Sequence, residues 1–395
     1  MKRQLTLVFF LSLNLYAQNL LEIQEALGSS KKARLINEKT TTQILENRLL
    51  NSQEAPELGL SISRADEVSK EGLEYSLEVS QELNNPFALG ASSDAIKHLN
   101  SLTKEQGAYQ LRLMAFEVGS KYHLACVSKQ ISEGAKMLYR EQESKYTPLQ
   151  KAYELGEISR KMLLFNKLDL MKLKQKVDRY KRDYLSALEY LQQSVDNLTI
   201  DTLACDDLED ILQHKDPDLI QQHAQIKTIH HKQNSTKAFY DLHNAMFSSL
   251  GYALAYEKEL DTTRYTFGVS IPLGALSSKK QTLKAQYLQE NASLSTQKEA
   301  RLFEIQQKTK SITLKLQTLY REYKLLHEQI LPMSLELKTL AKSAFNEGEG
   351  TIMEYLDATR SYSENFLEML AVKKSYYKTL FEFYKQTDQK LGEKK

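Results

Sequence analysis

Residues 153–159 read Tyr153-Glu-Leu-Gly156-Glu-Ile-Ser159 and open onto a long helix-patterned stretch; residues 345–351 read Phe345-Asn-Glu-Gly348-Glu-Gly-Thr351 and do the same. The offset is 348 − 156 = 192 residues, and nearly the same step, 269 − 79 = 190, carries Val79-Ser80 onto Val269-Ser270 with a proline following in each place, Pro86 and Pro272. A repeat on this scale means one structural unit built twice. The boundaries fall at 18–205 for the first copy and 206–395 for the second, each holding a helix, a β-hairpin and a pair of long helices.

Four short segments alternate with period two: Leu58, Leu60, Ile62; Leu73, Tyr75, Leu77, Val79; Leu250, Tyr252, Leu254, Tyr256; and Tyr265, Phe267, Val269, Ile271. Small or polar residues fill the gaps, so each strand has one apolar face and one that can meet water. The polar stretches Arg64–Gly72 and Glu257–Arg264 read as the connections of two hairpins. After each hairpin the period changes. From Leu302 apolar or small positions recur at Ile305, Thr309, Ile312, Leu316, Leu319, Tyr323, Leu326, Ile330, Met333, Leu337, Leu340 and Ala344. Steps of three and four mark a heptad seam, and the unbroken run of about 70 residues from Ala275 makes a helix of roughly 100 Å. Pro332 predicts a local kink with the seam in register on both sides. A return helix from Thr351 to Gln389 carries Leu356, Leu370, Tyr377, Leu380 and Tyr384. In the first copy a helix from Ser92 to Glu154 precedes Gly156, and Leu170, Leu173, Val177, Tyr180, Tyr184, Ala187 and Leu191 continue the pattern after it. Shorter helices open each copy, at Leu20–Leu50 and from Pro217 to Ala245, with Asp216 as N-cap. The stretch Ser194–Lys215 reads as a lateral elaboration linking the copies.

Lys2, Arg3, an apolar run from Leu5 to Leu15, and Tyr16-Ala17 fit a signal peptide over residues 1–17, with export as the consequence. No other segment approaches the roughly 20 apolar residues of a spanning helix, so any membrane crossing must use strands. Four strands cannot close a barrel. Two copies of the chain supply eight and three supply twelve, enough for a passage. Position 18 is Gln, which excludes a lipid-anchored amino-terminal cysteine. Net charge is only +2 with 26% charged residues of both signs mixed along the chain, which gives no nucleic-acid footprint. The two cysteines lie in a long helix (Cys126) and in the linker (Cys205); spacing leaves their pairing open, and two free thiols is the expectation over one disulfide. Five histidines fall between His214 and His243. His223 and His230 stand about 10 Å apart along a helix, too far to share one ion, so they read as surface residues and no metal site is assigned. There is no phosphate-binding Gly-rich loop, Gly-x-Ser-x-Gly or His-Glu-x-x-His, so no catalytic residue and no cofactor is assigned.

The duplicated order of elements, the strand ending Val269-Ser-Ile-Pro-Leu-Gly274, and the Gly156 and Gly348 turns, the latter leading into Thr351-Ile-Met-Glu-Tyr-Leu-Asp-Ala358, together resemble the TolC-type outer-membrane efflux proteins over almost the whole exported chain. The resemblance implies a mainly α protein with a small β part. It implies a homotrimer, in which twelve strands form one barrel in outer-membrane lipid and twelve helices form a tunnel through the periplasm. It also implies a periplasmic adaptor and an inner-membrane pump as partners. Leu155, Gly156, Glu157, Ile158, Glu347, Gly348 and Glu349 then stand where the family meets its adaptor. Glu354 and Asp357, three apart on one helix face, stand where the family carries inward-facing acids at the tunnel entrance; the first-copy positions, Met162 and Phe165, are not acidic. Glu74 and Glu78 would face the barrel lumen. The Tyr and Arg that often latch the family's closed entrance are replaced by Phe345 and Gly350, leaving other contacts, such as Arg160 or Lys161, to hold it.

The leading functional expectation is the outer-membrane channel of a tripartite efflux system, a passive duct driven by its partner. The exit channel of a type I protein-secretion system shares the architecture. An exported coiled-coil structural or adhesive protein is the alternative of another class, and heptads without the four strands would mark it.

Overall fold

In a computed structural model the described residues are 18–67, 70–84, 89–196, 198–205, 208, 222–244, 249–271 and 279–389. The signal-peptide expectation, the Asp216 cap, Pro217 and the Pro86 and Pro272 turns lie outside them. The element order runs α1 (Leu20–Gly28), α2 (Lys31–Leu49), β1 (Glu57–Glu67), β2 (Lys70–Asn84), α3 (Leu89–Glu154), α4 (Arg160–Gln192), α5 (Ala224–His243), β3 (Ser249–Lys258), β4 (Thr263–Ser270), α6 (Lys279–Leu325), a π turn (Leu326–Ile330), α7 (Leu331–Glu347) and α8 (Ile352–Thr387). Hairpin, long helix, turn and return helix therefore occur twice, as the duplication requires.

The chain divides into two compact units. One comprises Met1–Arg34, Leu111–Pro217 and Gln307–Lys395; the other comprises Leu35–Gln110 and Asp218–Gln306. Each unit draws on both halves of the sequence.

The second unit holds a four-stranded antiparallel sheet in the order β1-β2-β3-β4. The strands outrun the expected ones. Arg64 pairs with Leu73, Ala65 with Gly72 and Asp66 with Glu71, so most of the polar stretch read as a connection belongs to the ladder. Ladder pairing needs only backbone N–H and C=O groups, and here cross-strand charges add to it: Arg64 meets Glu71, and Glu257 lies opposite Arg264 at 3.5 Å.

In the first unit, one apolar cluster gathers Phe116 and Val127 of α3, Leu316 and Tyr323 of α6, Leu326, and Met369, Leu370, Tyr376, Tyr377, Leu380, Phe381 and Tyr384 of α8. The seams read for α4 and α8 are thus borne out: Leu170, Leu173, Val177, Tyr180, Tyr184, Ala187 and Leu191 are all at least partly covered, and the five named α8 positions are buried. The α6–α7 seam holds as far as Ile330 and is then displaced, with only Ala344 of its later positions half-buried. Pro332 has no N–H, and its ring clashes with the carbonyl four residues earlier; the π turn just before it relieves this by taking one extra residue. The buried face then moves by one position. Ser334, Lys338 and Ala341 turn inward, while Met333, Leu337 and Leu340, three of the four expected positions in this stretch, are exposed.

Three smaller expectations also change. The single helix over 20–50 breaks at Ser29-Ser30, where the Ser30 hydroxyl accepts from the Ala33 N–H at 3.2 Å and starts α2 as a separate helix. The helix expected from Pro217 is described only from Ala224, where His223 caps α5. The cysteines are not free: Cys126 and Cys205 form a disulfide, with Cα atoms 5.4 Å apart. Residues 198–205 fold back onto α3 and α4, a return that spacing along the chain does not encode. Gln192 binds the Ile200 N–H at 2.8 Å, Lys129 reaches the Leu203 carbonyl at 3.3 Å, and the Gln18 backbone pairs with Thr202 and Ala204, each at 3.0 Å.

Candidate functional site

The sheet carries the first functional surface. Its register places Leu58, Val79, Leu254 and Phe267 in one row across the four strands, and Leu60, Leu77, Tyr256 and Tyr265 in the next. Most of this face is bare: Leu60 and Phe267 are each 68% exposed and Tyr265 is 79% exposed. Such a continuous apolar face on a folded chain needs a covering of lipid or protein. Tyr75, Tyr256 and Tyr265 lie along it with ring centroids 6.2 and 5.3 Å apart. The opposite face holds Glu74 across from Ser63, and Glu78 across from Gly59 and Ala255, with Ser61 and Ser76 hydroxyls 2.8 Å apart. The two glutamates expected in a lumen share this polar face. β1 and β4 are the outer strands. Among the described residues no helix is long and apolar enough to cross a membrane.

The two glycine turns, both in the first unit, are built alike. Gly156 has φ +78° and Gly348 has φ +79°, the left-handed conformation that ends helices and that side chains with a Cβ resist. The Glu157 N–H reaches the Ala152 carbonyl at 2.9 Å and the Gly156 N–H reaches Tyr153 at 3.0 Å; Glu349 to Ala344 (2.9 Å) and Gly348 to Phe345 (3.2 Å) repeat the pattern. This is the Schellman closure, which satisfies the last helical carbonyls. Around it Leu155 is 75% exposed, Glu157, Glu347 and Glu349 are exposed, and Ile158 is half-buried. Ser159 and Thr351 then cap the next helices, accepting from Met162 N–H and Glu354 N–H at 3.3 Å each.

Glu354 completes a capping box, its carboxylate accepting from the Thr351 N–H at 2.9 Å. Asp357 is exposed and lies 3.8 Å from Arg360. Arg360 turns from there to Asp169 of α4 and covers the Phe165 ring, 5.2 Å from its centroid. Phe345 stacks on Tyr355 at 6.3 Å. Among the described residues, Arg360 thus supplies an ionic tie between α8 and α4.

Sequence reasoning missed a second cluster. Glu141 of α3 binds Lys145 at 3.2 Å and Lys338 of α7 at 2.7 Å. Lys145 also donates to the Thr359 hydroxyl at 3.0 Å and lies 4.1 Å above the Tyr355 ring, while Lys338 lies 4.7 Å from the Tyr362 ring centroid. The lysine side chains are 12% and 13% exposed. Burial opposes ionisation of Glu141, but the hydrogen bonds and charges of Lys338 and Lys145 outweigh it and hold the carboxyl below its ordinary range. Burial pushes the Lys145 ammonium down, with Glu141 opposing. The four-residue spacing of Glu141 and Lys145 was readable as a helix pair. Lys338 was not, because the π turn decides that it faces inward.

Two of the histidines, His223 and His231, depart from the surface expectation. His223 is buried, its Nδ1 accepting from the Gln225 N–H at 3.1 Å with Tyr109 alongside at 5.7 Å. His231 is half-buried, and burial, then His230 and His98, hold its imidazole below the ordinary value. His230 and His243 are exposed, and His214 lies outside the described residues. Among the described residues no group of three His, Cys, Asp or Glu is placed to hold a metal ion.

No protein-family model matches the sequence, and no curated protein matches it. Solved structures do match. CusC, described through its folding and transmembrane channel formation, aligns over 94% of this chain and 92% of its own at TM-score 0.79 and 14% identity. The outer-membrane channel OprN aligns over 93% and 89% at 0.76 and 14%, and the outer-membrane protein VceC from Vibrio cholerae over 94% and 96% at 0.74 and 12%. The fold is therefore that of the TolC-type outer-membrane channels, as the resemblance implied: long helices with a small four-stranded antiparallel sheet.

Proposed function

We propose that this chain is the outer-membrane channel of a tripartite efflux system. It acts as a passive trimeric duct running from a periplasmic adaptor and an inner-membrane pump to the exterior. The observation that carries the reading is the sheet, apolar and bare on one side, polar on the other, with two outer strands. In lipid, each unpaired edge N–H or C=O costs several kcal/mol, so an open four-stranded sheet cannot stand alone there. Three copies pair the edges, bury the apolar faces in hydrocarbon and enclose a lumen lined by Glu74, Glu78 and the serines. The tyrosine row suits the aromatic girdle of such barrels. The exposed Met333, Leu337 and Leu340 stripe suits helix packing between copies. An exported coiled-coil protein without a pore has no use for the sheet.

In this reading the chain contributes shape and charge and the partner supplies energy. Leu155, Gly156, Glu157 and the half-buried Ile158 in one turn, and Glu347, Gly348 and Glu349 in the other, offer the contacts for the adaptor. Glu354 and Asp357, brought together from three copies, draw cations toward the entrance. The test is single-channel conductance of purified protein in a planar bilayer under a salt gradient. Discrete cation-selective openings are expected, with selectivity reduced in Glu354→Gln/Asp357→Asn. A folded protein that stays in water and never inserts refutes the reading.

A further inference from the structure

We infer that Glu141 is the positioning residue of an ionic clamp that holds the first half of α8 against α3 and α7, and that releasing this clamp frees the Gly348 turn while the second half of α8 stays in place. The gating consequence rests on the channel reading above; the clamp itself does not.

The two halves of α8 are held in different proportions by apolar packing and by charge. From Met369 to Tyr384 the helix is fixed by the apolar core, in which Met369, Leu370, Tyr376, Tyr377, Leu380, Phe381 and Tyr384 are buried. From Tyr355 to Tyr362 some apolar packing remains, with Leu356 and Ala358 buried and Phe345 stacked on Tyr355, but it is joined by a set of polar and cation–π contacts across helices. Lys145 donates to Thr359 and covers Tyr355, Lys338 covers Tyr362, and Arg360 binds Asp169. Apolar burial is insensitive to a single charge, whereas the polar contacts of the first half depend on where two ammonium groups sit. Both are placed by one carboxylate, each of whose oxygens takes one lysine, at 3.2 and 2.7 Å. Lys342 of α7 adds a third positive charge acting on Lys145 and on Tyr355. Without the Glu141 charge, two little-exposed lysines lose the carboxylate they share, and among the described residues no other carboxylate is seen in ion-pair contact with either. A broken buried pair of this kind is strongly unfavourable, because the remaining charge is neither paired nor hydrated. The lysines then move toward water and leave the rings of Tyr355 and Tyr362, and with them the contacts that seat α8. Lys338 lies ten residues before Gly348 and Tyr355 seven after it, so the released segment includes the turn.

The test is hydrogen exchange on the full chain purified in detergent, comparing Glu141→Gln with Glu143→Gln, a neighbouring α3 carboxylate that meets only Tyr139 among the contacts seen. Glu141→Gln should speed exchange at residues 352–362 at least tenfold with 369–384 unchanged, and Glu143→Gln should change neither. Unchanged exchange at 352–362, or equal acceleration in both halves, overturns the clamp. If Glu141→Gln does not fold, Lys338→Met serves: it leaves Glu141 on Lys145, and a rise of about threefold confined to 352–362 is expected, while no rise overturns the inference. In bilayers Glu141→Gln should then increase open time. Wild-type protein that conducts nothing removes the channel reading and leaves the exchange result to judge the clamp.

Discussion

Replacing Cys126 and Cys205 together by serine opens a closed loop of 79 residues. Loop-closure entropy for a chain of this length is about 15 cal/mol/K, or about 4.5 kcal/mol at 25 °C, which the disulfide removes from the unfolded ensemble. The native segment keeps other holds. Ile200 and Leu203 are buried, and each such side chain contributes about 1.5–3 kcal/mol. The bonds from Gln192, Lys129 and Gln18 add about 1 kcal/mol apiece. The variant should therefore fold but melt earlier. At the usual unfolding entropy per residue, a chain of 395 residues converts the loss into a fall of roughly 5 °C. Far-UV circular dichroism on heating, with oxidised, reduced and double-serine protein side by side, measures it; proteolysis at residues 198–205 reports whether the loss is local. Oxidised wild type and variant melting within about 1 °C of each other, with equal protection of 198–205, refutes the argument, since no loop of this size can be opened without that entropy returning.

Two further outcomes follow from the same physics. Burial and the nearby Lys373 charge lower the His123 imidazole to about 4. The fold thus favours the neutral ring, so its contribution is complete above pH 6.5 and is lost as pH falls from 6.5 toward 4, by up to about 3 kcal/mol; unfolding curves across that window should flatten in His123→Gln. Gly156→Ala and Gly348→Ala meet no atom within 4 Å, so the left-handed backbone alone opposes them, and each should cost about 1–2 kcal/mol in chemical denaturation. A cost near zero in both would mean that the turns relax into another closure.

Local rules carried much of the architecture. Period-two alternation located all four strands because a sheet with one bare face leaves its mark on every second residue. The repeated glycines announced both turns because only a residue without Cβ takes positive φ there at little cost. The α4 and α8 seams were legible because an uninterrupted helix keeps its facing residues in step. The α7 seam failed for a matching reason: the π turn adds one residue, and nothing in the spacing of Met333, Leu337 and Leu340 records it. Polar strand ends such as Arg64 and Asp66 read as loop because pairing between backbones ignores side-chain polarity. The Glu354 capping box lay in plain view as Thr351 followed three residues later by Glu, yet that acid was read for its charge alone.

What the amino-acid order fixed is whatever depends on near neighbours in the chain: strand faces, helix stripes, caps, positive-φ turns and the twofold repetition. Only the tertiary structure decided which distant residues meet: Cys126 with Cys205 across 79 positions, Glu141 with Lys338 across 197, Arg360 with Asp169 across 191. Periodicity constrains which side of an element a residue occupies, whereas a pairing between elements depends on their relative rotation and offset, and a single inserted residue in a helical turn is enough to change both.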